Sequence, residues 1–230
     1  MNQELKQSLK QMKLFDNIKP SSLNTLIAKS HQQCYPAGNT IFLDKDELSC
    51  IYIVLSGTAS LYKSNENGQN KVIFILGKGE LLNEMIFEDL PSAINCKAYS
   101  NCTLLIIYKK DLLPLMAQDF VLTQNLMNSL SRKIRRLYRQ LKNSSSVIKI
   151  EKKLAAKLWK LGTDYGKPCP EGIMIDFPIT ITALADFLGS YRETVSRALK
   201  VLIEKKLVTY QSKTIIIMDM DELSTFFKTS

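Results

Sequence analysis

Between Ser190 and Leu199 the chain reads SYRETVSRAL. An arginine guanidinium can pair bidentately with the major-groove edge of guanine, and a glutamate can accept from the cytosine amino group. Arg192, Glu193 and Arg197 are thus candidate base readers, if a helix holds them outward. Val195, Ala198 and Leu199 supply that helix with an apolar stripe. The hydroxyls of Thr194 and Ser196 suit phosphate oxygens, and a helix N-terminus favours anions. No comparable set exists for catalysis. His31 is the only histidine, and there is no nucleophile elbow, no phosphate loop and no metal-ligand spacing. The reading is therefore not an enzyme, with no catalytic residue and no metal site.

The elements around this stretch follow from its flanks. Thr180 is a good N-cap for a short helix carrying Leu184, Ala185, Phe187 and Leu188. Gly189 can end it in a left-handed conformation. A second helix is predicted from near Tyr191 to about Lys206, its buried stripe continuing through Leu202 and Ile203. Two helices about a tight glycine turn make a helix-turn-helix, whose second helix enters the major groove by its N-terminal residues. The segments LVTY and KTIIIMDM flank Gln211-Ser212 as a hairpin, or wing. Thr180, Tyr191, Thr194, Ser212 and Lys213 are candidate phosphate contacts.

Charge supports a polyanionic partner. The formal net charge is +9. Between Arg132 and Lys160 stand eleven basic residues against Glu151 alone. Like charges at i,i+4 repel on a helix, so the block implies a compensating partner. Lys149, Lys152 and Lys153 join the phosphate candidates.

Upstream the periodicity is of two kinds. Leu5, Leu9 and Met12 suggest an N-terminal helix, and Ser21 or Ser22 can cap a second. From Cys34 to about residue 110, short β-branched segments alternate with turn signals, as in an antiparallel roll. Phe120, Met127, Ile134 and Leu141 then fall seven apart, with Thr123, Leu130 and Leu137 three after the first three. This heptad register predicts a long helix pairing with its twin in a homodimer, Phe120, Met127, Leu130, Ile134, Leu137 and Leu141 forming the interface. Leu115, Leu122 and Leu126 make a second apolar face for the roll. Asn143 to Ser146 read as a hinge, Val147 to Leu161 as a helix ending near Gly162, Gly166 to Gly172 as a loop of breakers, and Ile173 to Phe177 as a strand. The fold class is α+β: sensing roll with N-terminal helices over 1–110, dimerisation helix and hinge over 111–143, winged helix-turn-helix over 144–230.

Cys34, Cys50, Cys96, Cys102 and Cys169 form no CxxC cluster and read as reduced thiols. The Cys96–Cys102 pair is a candidate thiol switch. No apolar run approaches membrane-spanning length, and MNQELKQSLK is not a signal peptide. The expectation is a cytoplasmic protein with no membrane partner.

The motifs LFDNI at 14–18, YPAGNTIF, YIVLSGTASLY, GELLNEMIFED at 79–89 and ITITALADFLGSYRETVSRALKVL together resemble the bacterial Crp/Fnr family of transcription regulators. The resemblance covers Leu14 to Met218, and RETVSR is close to that family's recognition-helix signature. It implies a cyclic-nucleotide-binding-like roll. It also implies a homodimer on a two-fold symmetric double-stranded DNA site, with Arg192, Glu193 and Arg197 reading bases and Ser196 tuning the half-site. RNA polymerase is a further partner if the protein activates, and the 163–172 segment resembles the surface that touches it. Nucleotide-binding members carry Gly-Glu and Arg-Ser pairs in the pocket. Here the matches are Asn83-Glu84 and Pro91-Ser92, and proline cannot pair a cyclic phosphate as arginine does. Cyclic AMP is therefore not the expected effector. Leu82, Asn83, Glu84 and Ser92 remain candidates to line a pocket for an unknown small molecule. No cysteine precedes Cys34, so no iron–sulfur cluster is expected. A single histidine at the roll edge argues against haem. The competing reading is a small-molecule or thiol-redox sensor that meets RNA or an acidic protein through its basic block.

Overall fold

The computed structural model describes residues 2–66, 68–84, 89–144 and 148–229. The chain divides into two compact units, Met1–Lys63 with Ile73–Ser145, and Ser64–Val72 with Ser146–Ser230.

The first unit opens with α1 (Asn2–Lys10), a 3-10 turn at Lys13–Phe15 and α2 (Pro20–Lys29). Pro20 occupies the first turn of α2, where its missing N–H costs nothing, and Lys19 is the N-cap. Ser21 and Ser22 therefore lie inside the helix rather than capping it. Seven strands follow: β1 (Ser30–Tyr35), β2 (Thr40–Phe42), β3 (Cys50–Ser56), β4 (Ala59–Ser64), β5 (Asn70–Leu76), β6 (Asn95–Ala98) and β7 (Cys102–Tyr108). They form two sheets ordered β1-β7-β3 and β2-β6-β4-β5, and every resolved pairing is antiparallel.

Strands β3 and β7 are apolar on both faces because both are covered. Cys50, Val54, Cys102, Leu104 and Ile106 join Phe42, Leu61, Phe74 and Cys96 between the sheets. The alternate residues Ile51, Ile53, Leu55, Leu105 and Ile107 pack under the helices, with Leu9, Phe15 and Leu26. The period of two thus serves two cores at once.

α3 (Lys109–Gln118) and α4 (Phe120–Ser144) complete this unit. Asp119 separates them. Its carboxylate accepts from the amides of Lys19 at 2.7 Å and Val121 at 3.2 Å, so one buried side chain caps α4 and anchors the entry to α2. Leu115, Leu122 and Leu126 of the second apolar face are buried in the helical core.

The second unit holds α5 (Ile150–Tyr165), a hairpin of β8 (Gly166–Cys169) and β9 (Gly172–Ile175), α6 (Ile181–Leu188), α7 (Arg192–Glu204), the hairpin of β10 (Val208–Gln211) and β11 (Thr214–Ile217), and α8 (Met220–Lys228). Three expectations need correction. The helix does not end at Gly162 but runs to Tyr165. A side chain at Gly162 would lie 2.5 Å from Ile217 Cδ1, so the glycine permits close packing of α5 on β11 rather than a stop. The breaker-dense segment 166–172 is not a loop but a β-hairpin, paired in register from Gly166–Ile175 to Cys169–Gly172. Ile203 is exposed rather than part of the buried stripe. Of the hinge read at Asn143 to Ser146, Asn143 and Ser144 instead continue α4, and residues 145 and 146 lie outside the described residues, as does part of 79–89.

Candidate nucleic-acid interface and effector site

Local chemistry builds the helix-turn-helix. Thr180 Oγ1 accepts from the Ala183 amide at 3.0 Å and caps α6. Its hydroxyl hydrogen stays available to an outside acceptor. Gly189 sits at φ 60°, ψ 44°, and the amides of Gly189 and Ser190 both donate to the Ala185 carbonyl. This closes α6 and turns the chain directly into α7, whose N-cap is Tyr191. Leu184, Ala185 and Phe187 of α6 and Val195, Ala198, Leu199 and Leu202 of α7 are buried.

That burial orients the other face. Arg192, Glu193 and Arg197 are exposed, and none of their side chains makes a hydrogen bond or ion pair within the described residues. Ser196 and Thr194 are half-buried beside them. Tyr191 is exposed at the helix entrance. In the β10–β11 turn, Ser212 and Lys213 both have positive φ, the geometry of a two-residue hairpin turn, and both are exposed. The Lys213 carbonyl accepts from the Ile179 amide at 2.7 Å, tying the wing to the start of the helix pair.

The residues of the basic block differ in exposure and in partners. Lys149 is exposed, and Lys152 and Lys153 are half-buried. Lys152 donates to the Thr229 carbonyl. Lys157 lies 5.0 Å over the Phe187 ring, and Lys160 pairs with Asp164. Upstream, Lys133 is only 7% exposed, and Arg136 pairs with Glu80 at 2.8 Å. The block is thus not a uniformly solvated run of charge. Several of its charges have partners inside their own unit.

On α4 the heptad positions Phe120, Met127, Ile134, Leu137 and Leu141 are exposed, Phe120 by 75% and Leu141 by 65%. Tyr138, which the heptad does not include, is 67% exposed beside them. Leu130 differs: it is half-buried against its own helical core.

Of the effector candidates, Leu82 is fully buried in the roll. Asn83 is 1% exposed; its Oδ1 accepts from the Tyr52 amide at 3.1 Å and its Nδ2 donates to the Cys50 carbonyl at 2.8 Å. Ser92 donates to the Ile94 carbonyl at 2.8 Å, and its backbone pairs with Lys45 and Asp46. Asn83 and Ser92 therefore hold strands and turns together within the roll. Glu84 is exposed, with Lys133 Nζ 3.6 Å from Oε1. Pro91 is exposed and brings no charge. Burial raises both switch-candidate thiols, Cys102 to about 11 with Cys34 adding to the shift, and Cys96 further still. Both stay protonated, the form least reactive toward oxidants.

Comparison with known proteins agrees with this geometry. Residues 32–119 match the family described as cyclic nucleotide-binding domain, and residues 152–226 match the Crp-like helix-turn-helix domain. The chain is 28% identical to the cyclic AMP receptor protein of Thermus thermophilus, over 90% of this chain and 92% of that one. It is 25% identical to the probable transcriptional regulator flp of Lacticaseibacillus casei, over 93% and 94%. The structure of FixK2 from Bradyrhizobium japonicum superposes with a TM-score of 0.75 at 17% identity, covering 87% of this chain and 98% of that one.

The chain belongs to the Crp/Fnr family. This Crp/Fnr protein is a DNA-binding transcription regulator and not an enzyme. No described helix is long and apolar enough to cross a membrane. Sequence reasoning counted Lys133 and Arg136 with the basic block and missed their partners in the roll. Their signal was spacing: 133, 136 and 140 lie on one face of α4, continuing the face of Leu122 and Leu126. It also missed α8, whose cap Asp219 accepts from the Asp221 and Glu222 amides.

Proposed function

We propose that this regulator acts as a homodimer that reads a two-fold symmetric DNA site through Arg192, Glu193 and Arg197. The observation that carries the reading is the outward, unpaired presentation of these three charges on a helix anchored by Val195, Ala198 and Leu199. Ser196 tunes the half-site. Thr180, Tyr191, Thr194, Ser212, Lys213 and Lys149 lie on exposed or half-exposed surface suited to phosphates. Dimerisation is supported by the exposed seam of Phe120, Met127, Ile134, Leu137 and Leu141 on α4. RNA polymerase remains the partner proposed for the β8–β9 hairpin if the protein activates.

Cyclic AMP is not the proposed effector, although the Thermus relative carries its name. Asn83 is bonded on both sides of its amide, and Pro91 offers no cation for a phosphate.

Selection of bound duplexes from a random pool tests the reading. The wild type should enrich one palindromic site. Arg197→Ala should lose about 1–3 kcal/mol of discrimination at the guanine it reads while staying dimeric. If the variant separates that site from random DNA as well as the wild type does, the base-reading assignment is wrong.

A further inference from the structure

The interior end of the roll holds a charge that DNA binding does not explain. Lys133 projects from α4, is 7% exposed, and donates from Nζ to the Leu82 carbonyl at 3.1 Å. Glu84 stands 3.6 Å from the same amine. One turn on, Arg136 reaches Glu80 at 2.8 Å and the Ile75 carbonyl at 3.4 Å, with its guanidinium 4.7 Å over the Phe74 ring. One turn further, Gln140 donates to the Ile73 carbonyl at 2.8 Å. Three polar side chains at 133, 136 and 140 therefore stitch one face of α4 to β5 and to the 80–84 segment of the roll.

Burying an ammonium is costly unless it is paired and hydrogen-bonded. Lys133 is both, and burial is still the larger influence, holding the amine below its ordinary range while Glu84 and Glu80 oppose that shift. An amine kept under such strain fixes the geometry around it, because breaking the pair would strand a charge in the protein interior. Its partners Leu82 and Glu84 flank Asn83, which itself clamps β3 through Tyr52 and Cys50. The lysine thus sits where the sequence led us to expect a soluble molecule, and contacts the same residues.

We propose that Lys133 is a built-in substitute for the effector: its bond to Leu82 and its pairing with Glu84 hold α4 against the roll permanently, so the regulator binds its operator without any small molecule. A ligand shifts an equilibrium only by contacting one arrangement more favourably than another. Here an intrachain side chain makes that contact. Arg136 and Gln140 extend the same latch along the helix. The proposal rests on the DNA-binding reading above.

The test uses full-length protein, refolded from denaturant after exhaustive dialysis, and the duplex enriched by selection. Wild type should bind it specifically with nothing added, and millimolar cyclic AMP should change the affinity less than twofold. Lys133→Met, apolar and of similar length, should weaken operator binding by about tenfold or more, within the usual 5- to 150-fold range of allosteric coupling. Glu84→Gln, at an exposed position, should lose a smaller factor and guards against misfolding of the first variant. Hydrogen exchange should show residues 77–84 and the Lys133 turn of α4 protected in wild type and faster in both variants. Equal operator affinity for wild type and both variants would overturn the latch. So would wild type that binds specifically only after cell extract is added, a result that leaves the DNA-binding reading intact. Wild type with no preferred duplex under any condition would instead sink that reading itself.

Discussion

Asp119 shows how much one side chain can organise. Burial alone would raise its carboxyl, but hydrogen bonds from Ser22 and from the amides of Lys19, Leu122 and Val121 prevail and hold it below the ordinary 3.8. A carboxylate lowered in the fold adds stability that is present above the unfolded value and lost as pH falls through the folded one. Asp119→Asn keeps an acceptor for the cap but removes the charge. The urea midpoint of wild type should therefore exceed that of the variant at neutral pH, and the gap should close as pH drops below about 4. A gap that stays constant through that range would mean that the charge contributes nothing. The base-reading side chains behave differently. Arg192, Glu193 and Arg197 hold nothing together, so their substitution should affect DNA discrimination and leave the unfolding free energy unchanged within about 0.5 kcal/mol.

At the scale of elements, what positions those side chains is the turn between α6 and α7. Gly189 at φ 60° directs the chain into the recognition helix. A side chain with Cβ there costs roughly 1–2 kcal/mol. Gly189→Ala should lower the unfolding free energy by that amount, and Gly189→Asn should recover part of it because asparagine tolerates the left-handed region. Equal stability of the alanine variant and wild type would show that the turn relaxes. This turn was legible beforehand because its signals are local: a threonine cap, an apolar stripe, a glycine stop. The same local logic failed at Gly162 and at 166–172. There the glycines serve close packing and strand pairing, which depend on Ile217 and on β9 and are invisible to a window of neighbours. Lys133 escaped for the same reason. A lysine in a basic run reads as solvated until the acceptor fifty-one residues away, the Leu82 carbonyl, is brought beside it.

At the scale of the whole molecule, α4 carries two incompatible demands on one helix. Its polar ladder and its Leu122–Leu126 face pack within the chain, whereas the side chains of Met127, Ile134 and Leu141 are exposed. Exposed apolar positions seven apart, over three turns and more, are the pattern a parallel twin would cover. A two-fold pair would present two copies of Arg192, Glu193 and Arg197 to successive major grooves, one helical turn or roughly 34–36 Å apart. Met127→Glu places a charge in the seam without touching the recognition helix. It should convert the dimer to monomer by sedimentation, and the monomer should bind a single half-site weakly. With the dimeric wild type, inserting 5 base pairs between the half-sites turns the second by about half a rotation around the duplex and should reduce binding to the level of one half-site. A wild type that tolerates the insertion, or a Met127→Glu chain that binds the full palindrome as tightly as its parent, would show that the seam does not couple two recognition helices. The exposed stripe would then need another occupant.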